Sequence, residues 1–254
     1  MSLGSELEPF KLRARRHRGR MLKALESADR ESAAAEFKQA KAAIDEAFEL
    51  LKRYPAPEID STRPAGQGER AVAQQLADFH GILGGLYRSR GDKSENDLEA
   101  AIEEYDKGSR YEMSERFHIL NSYNLVNRLV LRILTDPTLL ISKKPVERGK
   151  NMDHLLDEAA GKIEEQLGNG RDDVQWALAD LAMLELLQEK GDVKSTLDEL
   201  YETAKTDPYP LQSMLGVIRD LLRHDVPLQK RIIEVGEHLR SKLPESMKGE
   251  PLTS

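Results

Sequence analysis

Glu115 and His118 stand three residues apart, a spacing that lets two metal ligands share one helix face. A helical di-metal site needs two such pairs plus two further glutamates, and His17, His80, His154, His224 and His238 offer no matching spacing. The chain contains no cysteine, which removes thiol catalysis, disulfide frameworks and cysteine-bound zinc. The phosphate loop GxxxxGK followed by Ser or Thr, the HExxH zinc helix and the GxSxG nucleophile elbow are all absent. The "GNG" at residues 168–170 follows a helical pattern and lacks the rest of a dinucleotide fingerprint. Carboxylate-rich runs such as "EAAIEEYDKGSR" and "GKIEEQ" carry bases at helical spacing and read as solvated faces. The expectation is a non-enzymatic protein with no metal and no cofactor.

Charge says more about partners. The net charge of −7 argues against general nucleic-acid affinity, yet "FKLRARRHRGRMLK" gathers Lys11, Arg13, Arg15, Arg16, Arg18, Arg20 and Lys23. This run reads first as a solvated helical extension. The alternative is a basic arm that contacts nucleic acid or an acidic partner, although Phe10 is the only nearby aromatic for stacking on bases. No apolar run approaches the ~20 residues that span a bilayer, and the N-terminus lacks the apolar core of a signal peptide, so a cytoplasmic setting without membrane contact is expected. The opening "MSLGS" reads as an appended leader, and the chain as part of something larger.

With hydrophobic residues at 39%, charged residues at 33% and aromatics at 5%, the composition suits exposed helix faces. Alternating β-branched and aromatic runs do not occur, so the chain is expected to be all-α. Apolar and small residues at Ala40, Ile44, Ala47, Phe48 and Leu51 mark one face of a long helix over residues 22–54. "YPAPEIDSTRPAGQG" breaks it. Further helices are expected over residues 69–90, 97–113, 114–134, 146–167, 172–190, 193–205, 211–224 and 227–242. This divides the chain into a basic arm with its long helix (1–54), a linker (55–68), a helical repeat domain (69–243) and a flexible tail (244–254). Trp176, Met113, Met183 and Met214 are expected in the core.

The dipeptide Gly91-Asp92 recurs as Gly191-Asp192, 100 residues on and close to three periods of about 34. Both close apolar helix ends, "LGGLYRSRGD" and "LELLQEKGD". Leu83, Gly84, Tyr87 and Gly91-Asp92, followed by Ala101, Ile102, Tyr105 and Gly108, resemble one unit of the tetratricopeptide repeat (TPR) family, with "KSEND" as extra residues in the turn. Tyr123, Asn124 and Leu125 resemble the start of a second unit, and Thr196, Leu197, Leu200, Thr203, Ala204 and Pro208 the second helix of a third. The resemblance implies a right-handed superhelix of antiparallel helix pairs, an α-solenoid whose concave groove binds a protein or peptide.

On the first helices, which the resemblance places along that groove, the candidate contact residues are Arg88, Tyr123, Asn124, Asn127, Glu185 and Gln188. Asn124 stands where many peptide-binding TPR domains place an asparagine, whose amide can both donate to and accept from a peptide backbone. The alternative for Asn124 and Asn127 is a bond to a neighbouring helix. Three glycines interrupt one of these helices, each costing about 1 kcal/mol against alanine. Gly84 resembles the family's packing glycine. Gly81 and Gly85, four apart on the groove side, point to close approach by a partner backbone or by the helix of residues 22–54 folding back.

Overall fold

The computed structural model describes residues 2–90, 95–224, 226–249 and 252. Among the described residues the chain is all-helical, and the only extended pairing is an isolated bridge between Glu147 and Lys150. It divides into two compact units, Met1–Arg128 and Leu129–Ser254. No described helix is long and apolar enough to cross a membrane.

The first unit holds α1 (Leu3–Glu26), α2 (Arg30–Leu51), α3 (Gln67–Arg88), α4 (Glu95–Glu112) and the start of α5 (Tyr123–Thr135). Where one long helix is expected over 22–54, the chain turns at residues 27–29. Ala28 adopts a left-handed φ of +58°, and Asp29 caps α2 by accepting the Ser32 N–H at 3.0 Å. Ser32, through its side chain first and this N–H second, holds the Asp29 carboxyl below its usual value. The basic run therefore lies on a packed helix. Its contacts Tyr54–Glu6, Arg13–Glu46 and His17–Glu36 descend along α2 and its C-terminal end as they ascend α1, so the two helices are antiparallel. The same test on His80–Glu104 and Arg90–Asp97 makes α3 and α4 antiparallel.

Small residues let α1, α2 and α3 close on one another: Ala14, Ala40, Ala43 and Ala47 are buried among Leu7, Met21, Phe37, Ile44, Phe79 and Leu86. The segment expected as a linker is tied down. Arg116 donates to the carbonyls of Arg63 (2.6 Å) and Glu58 (2.7 Å) and grips the Glu69 carboxylate with both terminal nitrogens. This grip keeps Glu69 below its ordinary pKa. Residues 114–122, expected as helix, form a loop. His118 takes a φ of +51°, and Phe117 and Ile119 bury themselves against Ala65, Ala73 and Ala77. The turn at Gly91-Asp92 lies outside the described residues.

The second unit contains the rest of α5, a 3-10 turn (Pro137–Leu140), α6 (Met152–Gly168), α7 (Val174–Gln188), α8 (Val193–Thr203), α9 (Tyr209–Arg223), α10 (Gln229–Lys242) and α11 (Glu245–Lys248). Contacts join α6 to α7, α7 to α8 and α9 to α10, so consecutive helices again pack as neighbours. α6 starts later than its pattern suggests, because Arg148 and Gly149 both take positive φ in a tight turn and Asn151 caps the helix by accepting the His154 N–H. The tail, expected as flexible, contributes α11. Arg219 donates to the Lys248 carbonyl at 2.5 Å, and Leu252 sits against Gly236.

The glycines sort by what a side chain would meet. A Cβ on Gly84 would stand 2.9 Å from the fully buried Tyr105 ring, whereas Gly161 and Gly216, inside α6 and α9, have nothing within 4 Å. Gly161→Ala and Gly216→Ala should each stabilise by about 0.5–1 kcal/mol. Gly84→Ala gains the same helix term but incurs about 1–3 kcal/mol of overpacking, so it should lower the midpoint of urea unfolding. Equal effects at all three positions would contradict this assignment.

Candidate functional site

The start of α5 is wedged between α3 and α4, and Asn124 is the wedge. Its side chain is buried, with 1% of the residue exposed, and Nδ2 donates to the Ala77 carbonyl of α3 (3.0 Å) and to Glu112 at the end of α4 (2.7 Å). The Glu112 carboxylate, equally buried, also accepts the backbone N–H groups of Asn124 (3.1 Å) and Leu125 (2.9 Å). One acid thus caps the N-terminus of α5, where unpaired N–H groups and the helix dipole both favour negative charge. Asn124 Oδ1 accepts no hydrogen bond. It lies where Cβ atoms on Gly81 and Gly108 would come within 3.0 and 2.5 Å. Two glycines on two helices make the slot that the amide fills.

This corrects the groove assignment of Asn124, whose amide is spent inside the fold. It also identifies what approaches Gly81: Asn124 and the Tyr123 ring, with ring carbons at 3.1–3.3 Å from a Cβ built there. At Gly85 the neighbours are the Tyr123 hydroxyl (3.2 Å), Arg18 Nη1 of α1 (3.3 Å) and the Tyr105 hydroxyl (3.5 Å). The helix that approaches is α1, where the sequence suggested residues 22–54.

Outside the wedge the candidates gather on one half-buried face. Arg88 Nη1 donates to Asn127 Oδ1 at 2.7 Å, and Asn127 Nδ2 donates back to the Tyr123 carbonyl of its own helix at 2.8 Å. The Tyr123 and Tyr105 hydroxyls share a 3.4 Å hydrogen bond. Burial, reinforced by the Tyr123 hydroxyl, pushes Tyr105 well above the usual phenol value, and the guanidinium charges of Arg88 and Arg18 work against it. Arg18 Nε and Nη2 both donate to Ser89 Oγ, which in turn donates to the Gly85 carbonyl.

In the second unit Glu185 and Gln188 serve helix contacts. Thr196 of α8 donates to Glu185 at 2.8 Å, and a Cβ on Gly191, whose φ is +68°, would strike the Glu185 carboxylate. Burial raises the Glu185 pKa, helped by Asp192 and Glu164 and opposed by Thr196 and Arg231. Gln188 Nε2 donates to Asp157 of α6 (2.6 Å), which also accepts from Lys190 (2.8 Å). Trp176, expected in the core, is half-buried and meets Tyr209 edge-on at 5.8 Å.

The basic run is largely taken up by the fold. Lys11, 8% exposed, donates to Asp78 of α3 at 2.5 Å, Arg13 pairs with Glu46, and His17 and Arg20 both meet Glu36. The buried Leu7, Lys11, Ala14 and Met21 lie along one stripe of α1, and with Arg18 between the last two the steps are four, three, four and three. That spacing was the signal in the sequence for Lys11 and Arg18 as packed residues. Among the described residues no group of three or more His, Asp or Glu side chains could hold a metal ion. No family model, curated protein or solved structure matches the chain.

Two outcomes follow. Asn124→Ala removes the donor shared by the Ala77 carbonyl and the buried Glu112 carboxylate and empties the slot, so it should destabilise the first unit by about 1–3 kcal/mol, measured by chemical unfolding. A stability equal to wild type would remove the wedge. Glu185 has a folded pKa above its unfolded value, so its ionisation opposes folding once pH rises past that unfolded value, about 4.3. Glu185→Gln, which can still accept from Thr196, should therefore be more stable than wild type at pH 7. The difference should vanish below about pH 4, and a difference constant across pH would contradict it.

Proposed function

We propose that the protein is a non-enzymatic, TPR-like interaction scaffold whose helix pairs continue as a right-handed superhelix and hold a protein or peptide segment. In the first unit the contact face is the one bearing Arg88, Asn127 and Tyr123. The observation that carries this reading is the juxtaposition of these three half-buried polar residues from α3 and α5 on one face, while Asn124 beside them is withdrawn into packing. Half-buried Tyr and Arg side chains are the types that dominate binding energy at protein interfaces. The pairing of consecutive helices throughout both units supports the repeat architecture. The reading of the basic run as an arm for nucleic acid is weaker, because Lys11, Arg13 and Arg20 already face carboxylates of α2 and α3. A cytoplasmic protein partner fits this reading.

A photo-crosslinking residue at Asn127, and separately at the exposed Lys38 of α2, tests the face. A partner joined from position 127 and not from 38 is expected. Equal capture from both positions, or none from 127, would overturn the assignment.

A further inference from the structure

Above Gly85, two hydrogen-bond donors find no acceptor among the described residues. Tyr105 is fully buried, and its hydroxyl has the Tyr123 hydroxyl as its hydrogen-bond partner. Buried hydroxyls donate where they can, so the Tyr105 proton goes to Tyr123 and the Tyr123 O–H is left over, at a half-exposed residue. Arg18 spends Nε and Nη2 on the Ser89 hydroxyl at 3.0 and 2.8 Å. Ser89 is itself fixed by its 2.7 Å bond to the Gly85 carbonyl, so the guanidinium plane is held from one side. Arg18 Nη1 has no acceptor and Arg18 no carboxylate partner among the described residues, in contrast to Arg13 and Arg20 on the same helix. Both tips close over the backbone of Gly85: Arg18 Nη1 lies 3.3 Å, the Tyr123 oxygen 3.2 Å and the Tyr105 oxygen 3.5 Å from the point a Cβ there would occupy, so the two spare donors meet where even a methyl group would be crowded. Arg88 adds a second positive charge on the same face, and both guanidiniums lie close enough to influence the Tyr105 hydroxyl.

A fixed guanidinium edge and a free phenolic O–H, both on half-buried side chains, suit a group that accepts hydrogen bonds and carries negative charge. We propose that this crossing of α1, α3 and α5 is an oxyanion site, which takes a carboxylate or phosphate group of the bound segment through Arg18 Nη1 and the Tyr123 hydroxyl. The role of Arg18 differs from that of a cation merely placed at the α3 C-terminus, which would stabilise the helix dipole without binding a ligand. The identity of the ligand group rests on the contact-face reading above. The site itself can be tested with small ions alone, so failure here would leave the crosslinking test of that reading standing.

The experiment is a titration of the full chain with sodium phosphate and, separately, sodium acetate, with ionic strength held constant by sodium chloride. The amide signals of Gly85 and Ser89 are followed by NMR. Saturable shifts with at least one ion are expected, and the two arms tell a phosphate site from a carboxylate site. Arg18→Gln should weaken binding by about tenfold or more, the scale of one charge-assisted hydrogen bond, and Tyr123→Phe by less. Arg15→Gln, on the exposed side of α1, should leave it unchanged. Tyr123→Phe keeps the ring against Gly81, so it carries the test if Arg18→Gln fails to fold. Non-saturable shifts with both ions, or equal weakening by Arg15→Gln and Arg18→Gln, would overturn the proposal.

Discussion

The first unit depends on one amide in one slot. Asn124 ties α5 to α3 through the Ala77 carbonyl and to α4 through Glu112, and Glu112 in turn neutralises the helix end that presents Asn124. The group that gains nothing is Oδ1, buried without a hydrogen bond. Burying an unpaired acceptor costs about 1–3 kcal/mol. The slot that holds it exists only because Gly81 and Gly108 lack side chains, since a Cβ on either would stand 3.0 or 2.5 Å from Oδ1. The glycines cost helix propensity, so the arrangement holds only because the gains come together: two donated bonds, a capped helix and close helix approach.

Much of the architecture was legible because it rests on periodicity. Helix positions in the second half of the chain follow from 3.6-residue spacing and Gly or Pro punctuation, and at Gly84, expected as a site of close helix approach, the neighbour is Tyr105. What was not legible depends on direction and on single residues. Repeat alignment gives Asn124 a position along α5, but whether its amide faces outward or into packing depends on Gly108, a residue sixteen earlier on another helix. The break at residues 27–29 was hidden because a left-handed alanine has no sequence signature, although Asp29 with Ser32 offered a cap. Residues 114–122 keep a helical composition yet spend Phe117 and Ile119 on a small core beside α3.

The basic run shows how far a count of charges can mislead. Seven bases in thirteen residues suggest a solvated arm, but a charge acts on a partner only if it is unspent. Lys11 lies with its stem in the packed stripe of α1 while its ammonium reaches Asp78, as long cationic side chains do when a polar partner stands at the edge of a core. Arg13, His17 and Arg20 face acids that α2 supplies at positions 36 and 46. The run is basic so that α1 can dock on acidic neighbours, and net charge over a window does not reveal it.

Gly81 and Gly85, four residues apart on the same helix face, are asked to do different things by what stands opposite. Gly81 is filled by groups whose hydrogen bonds are directed elsewhere in the fold, so its neighbourhood is closed. Gly85 is approached by the tips of Arg18 and Tyr123, and these tips carry donors that no acceptor among the described residues takes. A glycine there lets these tips close onto α3, where a Cβ would stand 3.3 and 3.2 Å from them. The wedge at Asn124 and the bare backbone at Gly85 are therefore one design: the first fixes α5 so that the Tyr123 ring lies across Gly81, and its hydroxyl reaches the second glycine.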